Sequence, residues 1–401
     1  MLSQRHLKRY TDVLLWGIRK ARKGRYKKGD IVLVRYDLAG LPLAEQVYER
    51  ILELGMHPVA RMRSTSTMEL AFFEKSTHQQ ITFMPPGEEE LYREANGSVL
   101  IYAPDSLTHL SRTDPKKIGK AAAVYNRLRD IMQDRESGGD LSWTICVFPT
   151  DALARHAELD ITAYEEQIIR ACYLNRRDPT AQWQDIWKRA QRIKQWLNRL
   201  RVHQFHIESA DTDLIVTPGQ TRRWVGISGR NIPSFEIFLS PDWRGTEGVF
   251  YADQPSYRNG NRIAGVRLEF RKGRVYKATA EEGEAFLHSQ LKMDRGAAQL
   301  GEFSLTDVRF SKINRFMANT LFDENFGGRY GNSHVALGSS YANTYTGAPE
   351  ELTPERKEQL GFNDSALHWD LVNTGKKRVT ALLTSGKKQT IYENGKFAVG
   401  G

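Results

Sequence analysis

Cysteine is scarce in this chain: Cys146 and Cys172 are its only two in 401 residues. So few exclude a disulfide-stapled scaffold, and both sit in locally apolar stretches, as buried inert thiols do. A reducing, cytoplasmic setting is therefore expected. Long apolar runs are also missing. None reaches the roughly 20 residues of a membrane helix. The opening stretch MLSQRHLKRYTDVLLWGIRKARKGRYKKGD mixes charge into its apolar residues and lacks a small-residue cleavage site, so no secretory signal is expected. Phosphate-cradling glycine patterns are absent too. The first strand-like run leads into Asp37-Leu38-Ala39-Gly40-Leu41-Pro42, which is neither G-x-G-x-x-G nor a Walker loop. That counts against nucleotide binding.

What is present fits a globular protein of two or three domains: 40% hydrophobic and 26% charged residues, with a net charge of +10. The basic excess lies in short clusters. Lys20, Arg22, Lys23, Arg25, Lys27 and Lys28 form one, Arg189 to Arg201 another, and Lys376, Lys377 and Arg378 a third. They are scattered and not interleaved with aromatics in a stripe. Solvated surface is the favoured reading over a nucleic-acid footprint.

Hydrophobic periodicity divides the chain into two halves. Residues 3–23 have helical spacing, Ile31–Tyr36 is a β-branched strand run, and Leu43–Leu54 is a helix closed by Gly55. Pro58–Met62 begins a second strand, so a strand–helix–strand unit with a parallel sheet is predicted. Ser98–Tyr102 and Ser142–Phe148 add strands, with a basic helix over Pro115–Asp134 between them. Thr162, with Glu165 three residues on, reads as a capping box. Trp183, Trp187 and Trp196 lie on a long amphipathic helix ending near Leu200. From Val202 the pattern changes to short β segments: 205–207, 213–216, 224–227, 236–240 and 262–270. The predicted fold class is an α/β N-terminal domain with a parallel-type sheet (1–200, with connecting helices), then a β-rich α+β domain (201–401).

The chemistry gathers between Leu321 and Asp370. In Leu367-His368-Trp369-Asp370-Leu371 the alternation places His368 and Asp370 on one face of a strand, about 7 Å apart at Cα. That spacing suits one metal or two adjacent ones, although a structural His–Asp hydrogen bond would look the same. His334 has small neighbours, Ala336, Gly338, Ser339 and Ser340, which leave room for an ion and a substrate. Tyr341 follows; a tyrosine hydroxyl can donate to an oxyanion. Upstream, Glu236 and Glu302 lie in apolar, strand-like settings, where a carboxylate is costly unless paired or bound to a cation. Edge strands with the glutamates in water remain the alternative. Taken together, two glutamates, two histidines and an aspartate suit two divalent ions with open positions, and no thiolate takes part.

These motifs resemble, in order and along nearly the whole chain, the thermophilic-type aminopeptidases (the aminopeptidase T and aminopeptidase S group). The segments that carry the resemblance are GDIVLVRYDLAGLPLAEQVYERILELGMHPV, DTDLIV, RNIPSFEIF, DRGAAQLGE, NTLFDEN, SHVALGSSY and SALHWD. The resemblance implies metal ligands at Glu236, Glu302, His334, His368 and Asp370, with Tyr341 assisting catalysis. Glu247 competes with Glu236, which is preferred for its N-x-P lead and E-I-F core. Two divalent ions (Zn, Co, Mn or Mg) would activate a water, and Glu302 would carry its proton to the leaving amine. Short peptides as substrates and an enclosing homodimer are implied as well. This sequence departs from the family at Phe235, and through extra residues in FGGRYGN, which runs into His334. The competing readings are a metal-dependent hydrolase of another bond and a non-catalytic basic binding protein.

Overall fold

In the computed structural model, which describes residues 2–258 and 260–399, the strands Ile31–Tyr36, His57–Met62, Gly97–Tyr102 and Ser142–Val147 pair in parallel. The first lies between the second and third, the fourth follows the third, and the short strand Asn231–Ile232 adds in parallel at that edge. Helices cover both faces. Along Ser142–Val147, Ser142 Oγ donates to Ile18 O, so the helix Gln4–Ala21 lies on that face. Trp143 alternates to the other face, where its Nε1 donates to Glu136 on the helix Asn126–Gly138. Leu33, Leu141 and Trp143 form a cluster there with Leu91 and Met132. Burial of both faces explains why these strands read as near-continuous apolar runs. The sheet belongs to a unit made of Met1–Trp183 and Ser228–Pro233. Cys146 and Cys172 are buried free thiols within it.

The second unit comprises Gln184–Ile227 and Ser234–Gly401. It holds an eight-stranded sheet, a four-stranded sheet and a small two-stranded ribbon, all antiparallel. Phe205 of the larger sheet packs on Trp224 and on Phe303 of the smaller one, with ring centroids 5.4 and 6.1 Å apart. The chain is thus α/β followed by a β-rich antiparallel region. Among the described residues no helix is long and apolar enough to cross a membrane.

Several local expectations are corrected. The helix at 161–171 is capped by Asp160, whose carboxylate accepts from Ala163 N, and not by Thr162. The basic helix is two helices, Pro115–Val124 and Asn126–Gly138, which meet at Tyr125. Residues 224–227 make only an isolated bridge, Val225 to Phe238, because Gly226 turns away at φ 120°. The run 262–270 is two strands, broken at Gly265 with φ 60°. Three helices, Ser66–Lys75, His78–Ile81 and Glu88–Glu94, lie where periodicity was too weak to read. Lys377, expected at a solvated surface, is only 3% exposed; its Nζ donates to Gly375 O, and burial lowers its pKa to about 7.

Candidate metal centre

The four-stranded sheet runs His368–Asn373, Asn332–Gly338, Leu300–Thr306, Glu236–Leu239. Its register sorts the side chains by face. Glu236 pairs with Thr306, Ser304 with His334, Glu302 with Ala336, Asp370 with Ala336 and Val372 with His334. Because strand side chains alternate, Glu236, Glu302, His334, His368 and Asp370 all share one face. The other face carries Ile237, Phe303, Leu305, Val335, Leu337, Trp369 and Leu371, every one of them buried. Packing this apolar face fixes the register, since a slip of one residue would exchange the two sets. Gly338 lets the strands close up beside His368: a Cβ there would fall 2.0 Å from Leu367 O, and its φ is +101°.

The five side chains converge. His334 Nε2 lies 3.2 Å from Glu302 Oε1, 3.3 Å from Glu236 Oε2 and 3.9 Å from Asp370 Oδ1. His368 Nε2 lies 3.5 Å from Asp370 Oδ1 and 3.7 Å from Glu302 Oε2. Two ligand-type triads result, Glu236–Glu302–His334 and Glu302–His368–Asp370, with Glu302 common to both. The competitor Glu247 lies elsewhere, on an exposed strand position where it accepts from Lys272 N.

The donor set fits a divalent cation. His368 Nδ1 is 2.9 Å from the Ser339 carbonyl and can only donate to it. In the neutral imidazole the Nε2 lone pair then points at carboxylates, so a proton or a cation must lie between them. Two buried carboxylates, Glu236 and Glu302, and the half-buried Asp370, with two imidazoles, are the oxygen and nitrogen donors that such ions take; Arg258 reaches only the His368 carbonyl at their edge. Electrostatics without an ion report the same imbalance. Burial, opposed by His334 and helped by the charge of Glu236, raises the Glu302 pKa to about 7. Burial works against the charged form of His334, but Glu236 and Glu302 overcome it and hold its pKa well above normal. For His368, the charge and hydrogen bond of Asp370 outweigh burial and raise it to about 9.

Periodicity missed Glu324. It follows the short helix Thr320–Asp323 and is buried, and burial together with the charges of Glu236 and Asp370 pushes its carboxyl well above the usual range. The available signal was two consecutive acids in Leu321-Phe322-Asp323-Glu324-Asn325 among apolar residues. Asn325 was missed too. Its Oδ1 accepts from the backbone N–H of Phe235 and Glu236, and its Nδ2 donates to Glu324 Oε1. The glycine-rich loop 326–332 ends in buried Asn332, which braces Glu324 and Phe326 through their carbonyls and lies 3.4 Å from His334 Nδ1. Tyr341 sits at the rim, 43% exposed, with its N–H donating to Ser240 Oγ and its ring 4.7 Å from that of His368.

The family model described as thermophilic metalloprotease (M29) matches residues 3–397. The chain belongs to that family. Among curated relatives, aminopeptidase 2 of Geobacillus stearothermophilus is 28% identical over 398 residues, covering 92% of this chain and 93% of the relative. Aminopeptidase AmpS of Bacillus subtilis (strain 168) is 29% identical, covering 82% and 83%. The solved structure of wild-type AmpT from Thermus thermophilus superposes with a TM-score of 0.82 at 23% identity, over 99% of this chain and 100% of that one, and shares its fold. Membership in a metalloprotease family brings with it divalent metal and peptide-bond hydrolysis.

Proposed function

We propose that Glu236, Glu302, His334, His368 and Asp370, with Glu324 beside them, hold two divalent ions for the removal of N-terminal residues from short peptides. The observation that carries this reading is the pair of triads sharing Glu302 on one face of the sheet. The chain is a metal-dependent aminopeptidase, in keeping with its family and with relatives that are themselves named aminopeptidases. When bound, the ions supply Lewis-acid polarisation of the scissile carbonyl and lower the pKa of the attacking water.

The chain's own groups do the rest. Glu302, the carboxylate common to both triads, accepts the proton of the water and passes it to the departing amine. Desolvation at the rim of the cluster and the surrounding carboxylates raise the Tyr341 pKa, so its hydroxyl stays protonated and able to donate to the tetrahedral oxyanion. The carboxylates of the cluster attract the substrate's α-ammonium, which confines cleavage to the chain end. Zinc, cobalt, manganese and magnesium all suit these donors. A homodimer that restricts access to short peptides, and a cytoplasmic location compatible with two free thiols, complete the proposal; sedimentation velocity and cell fractionation address them.

The deciding experiment measures release of free amino acid from an aminoacyl-anilide, with a phosphodiester as control, before and after chelation. Activity on the anilide alone, lost with chelator and restored by Zn, Co or Mn, is the expected result. Full activity in metal-free protein, or preference for the phosphodiester, overturns the reading.

A further inference from the structure

A cavity of about 20 Å³ opens beside the cluster. Glu324 and Asp370 form part of its wall, and Ser256, Ala318, Thr320 and Val372 are among the other residues that line it. Space of that size accommodates about one water-sized group, hence a methyl or hydroxymethyl but not a branched or aromatic side chain.

The walls are braced against widening. Ser256 Oγ accepts from Trp369 Nε1 at 2.9 Å. Ala318 is held in the left-handed region at φ 50°, which a residue with a Cβ rarely adopts. Asp323 imposes that turn: its two carboxylate oxygens accept from Met317 N at 2.7 Å and Asn319 N at 2.8 Å, on either side of Ala318. Tyr257, another wall residue, stacks on Phe316 with ring centroids 6.3 Å apart. Ser256, Ala318 and Tyr257 are thereby held in place, and residues 326–332 take no part in lining the space.

We propose that this cavity receives the side chain of the substrate's N-terminal residue and restricts it to glycine, alanine or serine. The α-ammonium and that side chain leave the same carbon, one bond from the scissile carbonyl. An ammonium drawn to the cluster carboxylates therefore places the side chain at the neighbouring opening. The inference rests on the aminopeptidase reading for its substrate and on the cavity for its size limit.

Two readouts test it on the zinc-loaded full chain. In the first, kcat/KM is compared for alanine, serine, leucine and phenylalanine anilides. Alanine should exceed leucine by roughly ten- to a hundredfold, the range expected when added methylenes exceed a pocket. Val372→Ala, and separately Thr320→Ala, should shift the leucine-to-alanine ratio toward leucine by about tenfold or more. In the second, calorimetry compares binding of alanine amide with that of leucine amide, which needs no turnover. Leucine or phenylalanine anilides cleaved as well as alanine, or a ratio unmoved by both variants, overturns the size limit while leaving the aminopeptidase reading intact. Tighter binding of alanine amide by protein that hydrolyses no anilide supports the cavity and overturns the aminopeptidase reading. Equal binding of the two amides overturns the cavity.

Discussion

Asn325 Oδ1 accepts the backbone N–H of Glu236 at 3.0 Å, and the same side chain donates through Nδ2 to Glu324 Oε1 at 3.2 Å. One amide thus fixes the start of the edge strand that carries one cluster carboxylate and orients another. An amide can do both, since it accepts at one end and donates at the other.

Asn325→Ala should strand the buried Phe235 and Glu236 amides and cost roughly 2 to 4 kcal/mol of stability. Metal affinity should fall by about ten- to a hundredfold, as for other residues that orient ligands. Asn325→Asp adds a further carboxylate to the cluster and should be worse. Denaturant titration and metal analysis of dialysed protein check both effects; wild-type metal retention in Asn325→Ala would remove its positioning role.

Tyr341→Phe separates chemistry from metal binding. Its ring contacts, to His368 at 4.7 Å and Phe238 at 5.5 Å, need no hydroxyl. Removing the hydroxyl should lower kcat by about a hundredfold, as loss of an oxyanion donor does, while metal content and melting temperature stay unchanged. Unaltered kcat would exclude the hydroxyl from the reaction.

Without metal, the cluster should make stability fall as pH rises. The Glu302 pKa is raised from 4.5 to about 7, so its folded state holds a proton that the unfolded state releases between those values. Stability from this group is complete below about pH 4.5 and lost by about pH 7. His368, raised from 6.5 to about 9, adds a second loss between those values. Asp370, held below its ordinary 3.8 by His368 against the effect of burial, acts only at more acidic pH. Melting temperatures of chelated protein should decline from about pH 4.5 to 9, and added zinc should flatten the decline. A pH-independent difference between chelated and loaded protein would contradict this.

The pattern-bearing parts of the molecule were legible because each is buried on a definite face. Ile31–Tyr36 is covered on both sides and reads as an unbroken apolar run; Leu367–Leu371 is apolar on one side and reads as an alternation. Ser66–Glu94 was illegible for the opposite reason. Of its helices only Phe73 and Ile81 are buried, so no apolar stripe marks them. Within the centre, Glu236, Glu302, His334, His368 and Asp370 announced themselves as polar residues within strand-like patterns. Glu324 did not, since it follows a four-residue helix too short to show a period, and its placement depends on bonds to Asn325 and Asn332 that no periodicity marks. Tertiary contacts decide such positions, and local spacing carries no trace of them.

Glu324→Gln should have opposite effects on the two states of the protein. The amide keeps the shape of the carboxylate, and its oxygen can still accept from Asn325 Nδ2. In metal-free protein Glu324 faces the charges of Glu236, Asp370 and Glu302 in a buried setting, so removing its ionisable group relieves repulsion. The melting temperature of the chelated variant should equal or exceed that of chelated wild type, by a few degrees if about 1 kcal/mol is recovered. With metal present the relation reverses, because those same carboxylates balance the cation. Metal should bind at least about tenfold more weakly, and the stabilisation it confers should shrink accordingly. Calorimetric melting with and without zinc, paired with a competition titration against a chelating dye, measures both. If the variant matches wild type in both states, Glu324 is a bystander whose burial has another cause.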